Sequence, residues 1–236
     1  IRVTWSTTGA KTVSVNYTNA NGCAANNATN FAVTVNPVPV PTITGTALVC
    51  EGSTGITYTT QPGNTGYSWS VSTGGTITAG SNTNQITVTW NTPGARTVSV
   101  NYTNASGCAA DHATTYDVTV VGQPVSGTLT RNTPDEYVCD GGILSATLTP
   151  GTGGAGTITD VLEYRFDGGS WEPYTSGAGL VALGHGTLEI RTYRTADGLA
   201  GCNMSTPVSV MFYIHSMPAT GTLTPSPAPG NICEGT

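Results

Sequence analysis

Apolar residues recur at every second position over much of the chain. Ile56 and Tyr58 alternate with Thr; Tyr67, Trp69 and Val71 alternate with Ser. Ile86, Val88 and Trp90 follow the same rule, as do Val98, Val100 and Tyr102, and Tyr116, Val118 and Val120. Successive side chains of a strand point to opposite faces, so each run places one apolar row on one face. Gly74-Gly75 and Gly80-Ser81-Asn82 separate the runs and mark turns. The pattern predicts about seven short strands per ~85 residues, the signature of a Greek-key sandwich with Trp69 at its centre. Further on, Leu144/Ala146/Leu148, Leu162/Tyr164/Phe166, Leu188/Ile190 and Val208/Val210/Phe212/Ile214 form candidate core rows. Gly168-Gly169-Ser170-Trp171 reads as a hairpin turn, and no segment has helical periodicity.

The pattern also repeats. Ile1–Val35 and Ile86–Val120, offset by 85 residues, agree at 25 of 35 positions. That period suits a whole sandwich domain and is too long for a solenoid turn. An early marker, Cys50-Glu51-Gly52-Ser53, returns as Cys139-Asp140-Gly141-Gly142 and Cys233-Glu234-Gly235-Thr236. A late marker recurs as Gly22-Cys23, Gly107-Cys108 and Gly201-Cys202. The chain therefore parses into the C-terminal part of one repeat (1–37), a complete repeat (38–121), a complete divergent repeat (122–216) and the start of another (217–236). Pro37-Val38-Pro39-Val40-Pro41 is a stiff extended connector; Gly122-Gln123-Pro124 and Pro225-Ser226-Pro227-Ala228-Pro229-Gly230 are further Pro-rich stretches. The strand-like start at Ile1 and the half repeats at both ends lead to the expectation of a segment of a continuous fibre, with Val3, Trp5 and Val13 left uncovered.

Composition agrees with an all-β chain: 31 Gly, 14 Pro, and charged residues at 8% against a usual value of about 25%. The net charge is −6 and Lys11 is the single lysine. There is no basic stripe for nucleic acid, and attraction to anionic lipid is disfavoured. No apolar run is long enough to insert in a bilayer.

The succession Pro-Thr-Ile-Thr-Gly (41–45), Val-Cys-Glu-Gly-Ser (49–53), Tyr-Ser-Trp-Ser-Val (67–71), Gly-Gly-Thr-Ile (74–77), Ile-Thr-Val-Thr-Trp (86–90), Val-Ser-Val-Asn-Tyr (98–102) and Gly-Cys (107–108) resembles a PKD-like, immunoglobulin-like repeat. Such repeats fill giant cell-surface proteins of Bacteroidota, including gliding-motility adhesins exported by the type IX system. The resemblance covers residues 1–121 well and the divergent repeat in outline. It implies an extracellular, cell-surface location, a non-catalytic structural or adhesive role as stalk or filament, and no catalytic residues. Similar modules also serve as spacers or carbohydrate-binding modules in secreted polysaccharide-degrading enzymes, which is the alternative role. The expected partners are neighbouring repeats of the same chain, with glycans, other surface proteins and lateral or end-to-end self-assembly as further candidates.

Regularly placed cysteines in a β-rich chain point to an oxidising setting. The preferred pairing is within each repeat, Cys50–Cys108 and Cys139–Cys202, with Cys23 and Cys233 joined to cysteines outside the segment. The rival pairing joins neighbours: Cys23–Cys50, Cys108–Cys139 and Cys202–Cys233. No cysteine or histidine spacing suits a metal, and no cofactor is expected. His112, His185 and His215 are scattered, and no G-x-S-x-G elbow accompanies them. Glu51, Asp140 and Glu234, after the early cysteine, read as turn residues accepting backbone N–H bonds rather than as calcium ligands. Asp135, Glu136 and Asp140 form an acidic cluster with the same reading. Trp171 and Tyr174 are candidate stacking partners for a sugar, with hairpin core packing the competing reading. N-x-S/T sequons occur at Asn16, Asn27, Asn101, Asn104 and Asn203, and Asn16 and Asn101 should point outward.

Overall fold

The computed structural model describes residues 1–133 and 135–222. Among them every regular element is a strand. The chain forms two compact units. The first comprises Ile1–Gln123 with Gly153–Gly156 and Asp197–Asn203; the second comprises Pro124–Thr152, Thr157–Ala196 and the described residues from Met204 on. The two short excursions of the later sequence into the first unit are not anticipated by a parse at residue 122.

In the first unit β1 (Gly9–Val15) and β2 (Thr29–Val35) form an antiparallel hairpin in register Gly9↔Val35 through Val15↔Thr29. The eight strands that follow are β3 (Thr44–Gly45), β4 (Leu48–Cys50), β5 (Ile56–Thr59), β6 (Thr65–Val71), β7 (Gly75–Ala79), β8 (Gln85–Trp90), β9 (Gly94–Thr103) and β10 (Thr114–Val121). They make two four-stranded sheets, β4-β10-β9-β6 and β3-β5-β8-β7. The apolar rows of both sheets meet in one core: Val49, Trp69, Val98, Val100, Val118 and Val120 from the first, Tyr58, Ile86, Val88 and Trp90 from the second. This is an immunoglobulin-like β-sandwich, and the alternation in the sequence is its cause.

Trp69 is buried, and its indole N–H donates to the Thr83 carbonyl at 2.9 Å. The largest fully buried side chain is instead Trp90, whose indole donates to the Tyr58 hydroxyl at 3.2 Å; that hydroxyl in turn donates to the Thr46 carbonyl. Gly75 lies flat against the Trp90 ring, where a Cβ would stand 2.5 Å from the nearest ring carbon.

The hairpin β9–β10 runs in register Gly94↔Val120 through Val100↔Thr114, which is the β1–β2 register displaced by 85 residues. Val98 and Val100 are wholly buried, whereas their counterpart Val15 is 56% exposed and Val13 half-buried. The same residues in the same hairpin differ in burial because a facing sheet covers one copy and not the other. Val3 is exposed and Trp5 and Val13 are half-buried, so the expected uncovering is graded rather than complete.

In the second unit the strands are β11 (Thr128–Arg131), β12 (Tyr137–Cys139), β13 (Ile143–Leu144), β14 (Ala146–Thr149), β15 (Ile158–Phe166), β16 (Glu172–Pro173), β17 (Leu180–Val181), β18 (Gly186–Ala196) and β19 (Val208–His215). A five-stranded sheet, β12-β19-β18-β15-β16, shares a core with the pairs β11-β14 and β13-β17. Leu144, Ala146, Leu188, Ile190 and Phe212 are wholly buried. Val208 is 44% exposed and does not extend its predicted row, because it opens β19 opposite Thr192 rather than over the core centre. Pro173, which has no N–H to give, sits on the edge strand β16. β15 and β16 are joined by a tight turn at Asp167-Gly168, both with positive φ (49° and 69°), closed by Gly169 N–H on the Phe166 carbonyl at 2.8 Å. That is the Asp-Gly hairpin signature, beginning one residue before the turn read from sequence.

Candidate functional site

The positions that carry chemistry in this chain are its cysteines and a set of ion pairs on one sheet of the second unit. The early cysteines occupy one structural position in both complete repeats. Cys50 ends β4, which pairs in parallel with β10 so that Cys50 lies opposite Val121. Cys139 ends β12, which pairs in parallel with β19 so that Cys139 lies opposite His215. The turn after each is built alike. Glu51 N–H donates to Val121 O at 2.7 Å and Asp140 N–H to His215 O at 2.8 Å; Ser53 and Gly142 N–H donate back to the carbonyls of Cys50 and Cys139 at 3.0 Å. Gly52 and Gly141 take φ of 80° and 84°, the left-handed region that explains the glycine of the marker. The Asp140 carboxylate accepts the Gly184 N–H at 2.7 Å, the role of a turn residue.

The late cysteines lie in the connection between the last two long strands of a repeat. Cys23 and Cys108 sit in loops organised by one asparagine each. The Asn19 side-chain oxygen accepts the N–H groups of Asn21 and Cys23, and that of Asn104 accepts those of Ser106 and Cys108, all at 3.0 Å. Just before these loops, Asn16 and Asn101 donate across the hairpin to the carbonyls of Ala25 and Ala110, so their amides are engaged with backbone. Cys202 lies between β18 and β19, on the segment 197–203 that belongs to the first unit.

Cys50 and Cys202 form a disulfide with a Cα–Cα distance of 5.8 Å across 152 residues, while Cys23, Cys108 and Cys139 are free thiols. The predicted bonds Cys50–Cys108 and Cys139–Cys202 are therefore not formed. The reason is strand direction. Parallel pairing puts the early cysteine beside the end of the last strand, and the late cysteine precedes the start of that strand. Eight residues of β10 or β19 separate those levels by about 25 Å, against the roughly 4.4–6.8 Å between Cα atoms that a disulfide needs. The neighbour pairings Cys23–Cys50 and Cys108–Cys139 are not formed either, and Cys202–Cys233 is precluded because Cys202 is taken. Cys233, Glu234 and the Pro-rich stretch 225–230 lie outside the described residues.

Tyr174 is not a sugar platform. It is 8% exposed, and its hydroxyl lies within hydrogen-bond distance of Ala146 N (2.9 Å) and of the carbonyls of Ala146 and Ala178 (3.2 and 2.7 Å). Trp171 is half-buried, and the guanidinium carbons of Arg191 and Arg165 lie 3.7 and 4.3 Å from its ring centroid. The stacking partner of Trp171 is thus arginine. Those arginines belong to a cross-strand set that sequence reading missed: Arg165 with Glu189 (2.7 Å), Arg191 with Glu163 (2.7 Å) and Arg194 with Asp160 (2.8 Å), all between β15 and β18. Hydrogen bonding from Arg194 holds the Asp160 carboxyl below its ordinary range, and the Arg194 guanidinium is raised in return. Burial pushes Glu189 up, but hydrogen bonds from Arg165 and Ser209 outweigh it and the carboxyl also titrates low.

His112, His185 and His215 are exposed on three different connections or strand ends. Among the described residues no group of three His, Cys, Asp or Glu is placed to hold a metal ion, and no helix is long and apolar enough to cross a membrane. Glu51, Ser53, Thr54 and Gln123 line an open depression of about 390 Å³ beside Cys50.

Residues 36–122 match the PKD-like domain family. No curated protein matches the chain. Among solved structures, fibronectin(III)-like modules of Clostridium thermocellum CbhA are 16% identical, covering 78% of this chain and 100% of theirs, at a TM-score of 0.30. The D00-D0 domain of intimin is 12% identical, with 73% and 99% covered and a TM-score of 0.34. A Ca2+-stabilized adhesin with which an Antarctic bacterium binds ice is 14% identical, with 91% of this chain and 59% of that one covered, at 0.36. The PKD-like match coincides with the sandwich β3–β10 and includes Cys50 and Cys108 but not Cys202, so the disulfide joins the PKD-like domain to sequence beyond it.

Proposed function

We propose that this chain is a non-catalytic segment of a large extracellular repeat protein, acting as the stalk or filament of a cell-surface adhesin. The observation that carries this reading is the duplication: one hairpin with one register and one set of loop hydrogen bonds recurs at an offset of 85 residues. Duplication of a self-contained core extends length without new chemistry. The disulfide supports an oxidising, extracellular compartment. The sparse charge leaves a surface of Thr, Ser and Asn, suited to contact with other repeats, with glycans or with surface proteins. Gliding motility and type IX export belong to this reading through the sequence resemblance.

The test is deletion of the encoding gene in the source organism, scored for attachment to solid surfaces and for polysaccharide hydrolysis by culture supernatant. Attachment should fall with hydrolysis unchanged. Loss of hydrolysis with attachment intact would overturn the reading in favour of spacer or carbohydrate-binding modules of a secreted enzyme.

A further inference from the structure

We infer that the cysteines obey one rule: the early cysteine of each repeat is bonded to the late cysteine of the repeat that follows it. The inference is independent of the adhesive role. It stands on one observed bond and on the equivalence of positions. The bond is Cys50–Cys202, from the early position of the repeat 38–121 to the late position of the repeat 122–216. Applied to this sequence, the rule finds both partners for that pair alone. Cys108 requires the early cysteine of the repeat before it, Cys139 the late cysteine of the repeat after it, and Cys23 an early cysteine further upstream. These are the three free thiols among the described residues. Pairing within repeats and pairing of sequence neighbours each predict bonds among residues that are present, and those bonds are not formed.

Positional equivalence extends the rule to the free thiols. Cys139 shares with Cys50 its parallel register, its two turn hydrogen bonds and its left-handed glycine. It is also exposed, as an outward-reaching thiol must be. Cys108 and Cys23 share one asparagine brace with each other, and with Cys202 they share the connection between the last two long strands of a repeat. Within a repeat the early and late positions are a strand length apart, so neither can be satisfied internally and each must find its partner in an adjoining repeat. Each bond forms when two thiols give up two protons and two electrons to an exchanging disulfide, small-molecule or protein, which leaves as two thiols.

The test is non-reducing peptide mapping of the full-length natural protein after blocking free thiols with iodoacetamide. The expected map links Cys50 to Cys202. It places Cys108 and Cys139 in two further linked pairs, each with a cysteine outside residues 38–216. The partner of Cys108 should sit in a Cys-Glu-Gly or Cys-Asp-Gly sequence, and that of Cys139 should follow a glycine. Alkylated Cys108 or Cys139, a Cys50–Cys108, Cys139–Cys202 or Cys108–Cys139 link, or partners of the opposite type would overturn the rule. None of these outcomes bears on attachment or hydrolysis, so the functional reading and the rule fail separately.

Discussion

Trp90 and Tyr58, on neighbouring strands of one sheet of the first unit, are tied by a wholly buried indole and a hydroxyl that both accepts and donates. Removing the indole leaves a cavity and takes one of the two hydrogen bonds of the Tyr58 hydroxyl, so Trp90→Ala should cost about 3–5 kcal/mol, read as a lowered denaturant midpoint. Tyr174→Phe removes a buried hydroxyl from the backbone of Ala146 and Ala178 and should cost about 1–3 kcal/mol in the unfolding of the second unit. Asp160 gives a pH signature. Its folded-state value lies below the ordinary carboxylate range, so its pair with Arg194 contributes fully above the unfolded value of about 4. That contribution is lost as pH falls through the lower folded value. The stability difference between wild type and Asp160→Asn should therefore be largest near neutral pH and shrink in acid, as urea titrations at several pH values would show. At this scale the core rows were legible because alternation reports burial directly. Tyr174 and Trp171 were not: a short run after Gly-Gly says nothing about which ring turns inward or which finds a guanidinium. The ion pairs left a signal that was passed over, since Asp160, Glu163, Arg165, Glu189, Arg191 and Arg194 gather in two short stretches of a chain that is otherwise poor in charge.

At the scale of elements, the hairpins and their turns followed from local chemistry. Asp167-Gly168 supplies the two positive-φ residues the β15–β16 turn requires. The late-cysteine loop is braced by a single asparagine, so Asn104→Ala orphans two backbone N–H groups and should cost about 1–2 kcal/mol. Hydrogen exchange should quicken at Ser106 and Cys108 with little change at Trp69 or Val88. What the sequence did not disclose was partner choice. Period-2 alternation marks a strand and its inner face but not whether its neighbour runs parallel. The parallel pairings β4–β10 and β12–β19 decide where the early cysteines stand, and without them a pairing within the repeat looks natural.

For the molecule as a whole, the repeat period was legible in the sequence because duplication kept residue identity, and the register repeats with it. The covalent topology was not, since it depends on strand direction and on a loop of the later repeat. The Cys50–Cys202 bond closes a 152-residue span, for which chain entropy sets a contribution of up to about 5 kcal/mol. Cys202→Ser should destabilise the first unit by an amount within that bound, read as a lowered thermal midpoint. The most direct test is differential alkylation of the 236-residue chain without prior reduction. Cys50 and Cys202 should be protected and recovered as one linked peptide pair, with Cys23, Cys108 and Cys139 alkylated. Recovery of Cys50 linked to Cys108, or of Cys50 and Cys202 both alkylated, would contradict the account.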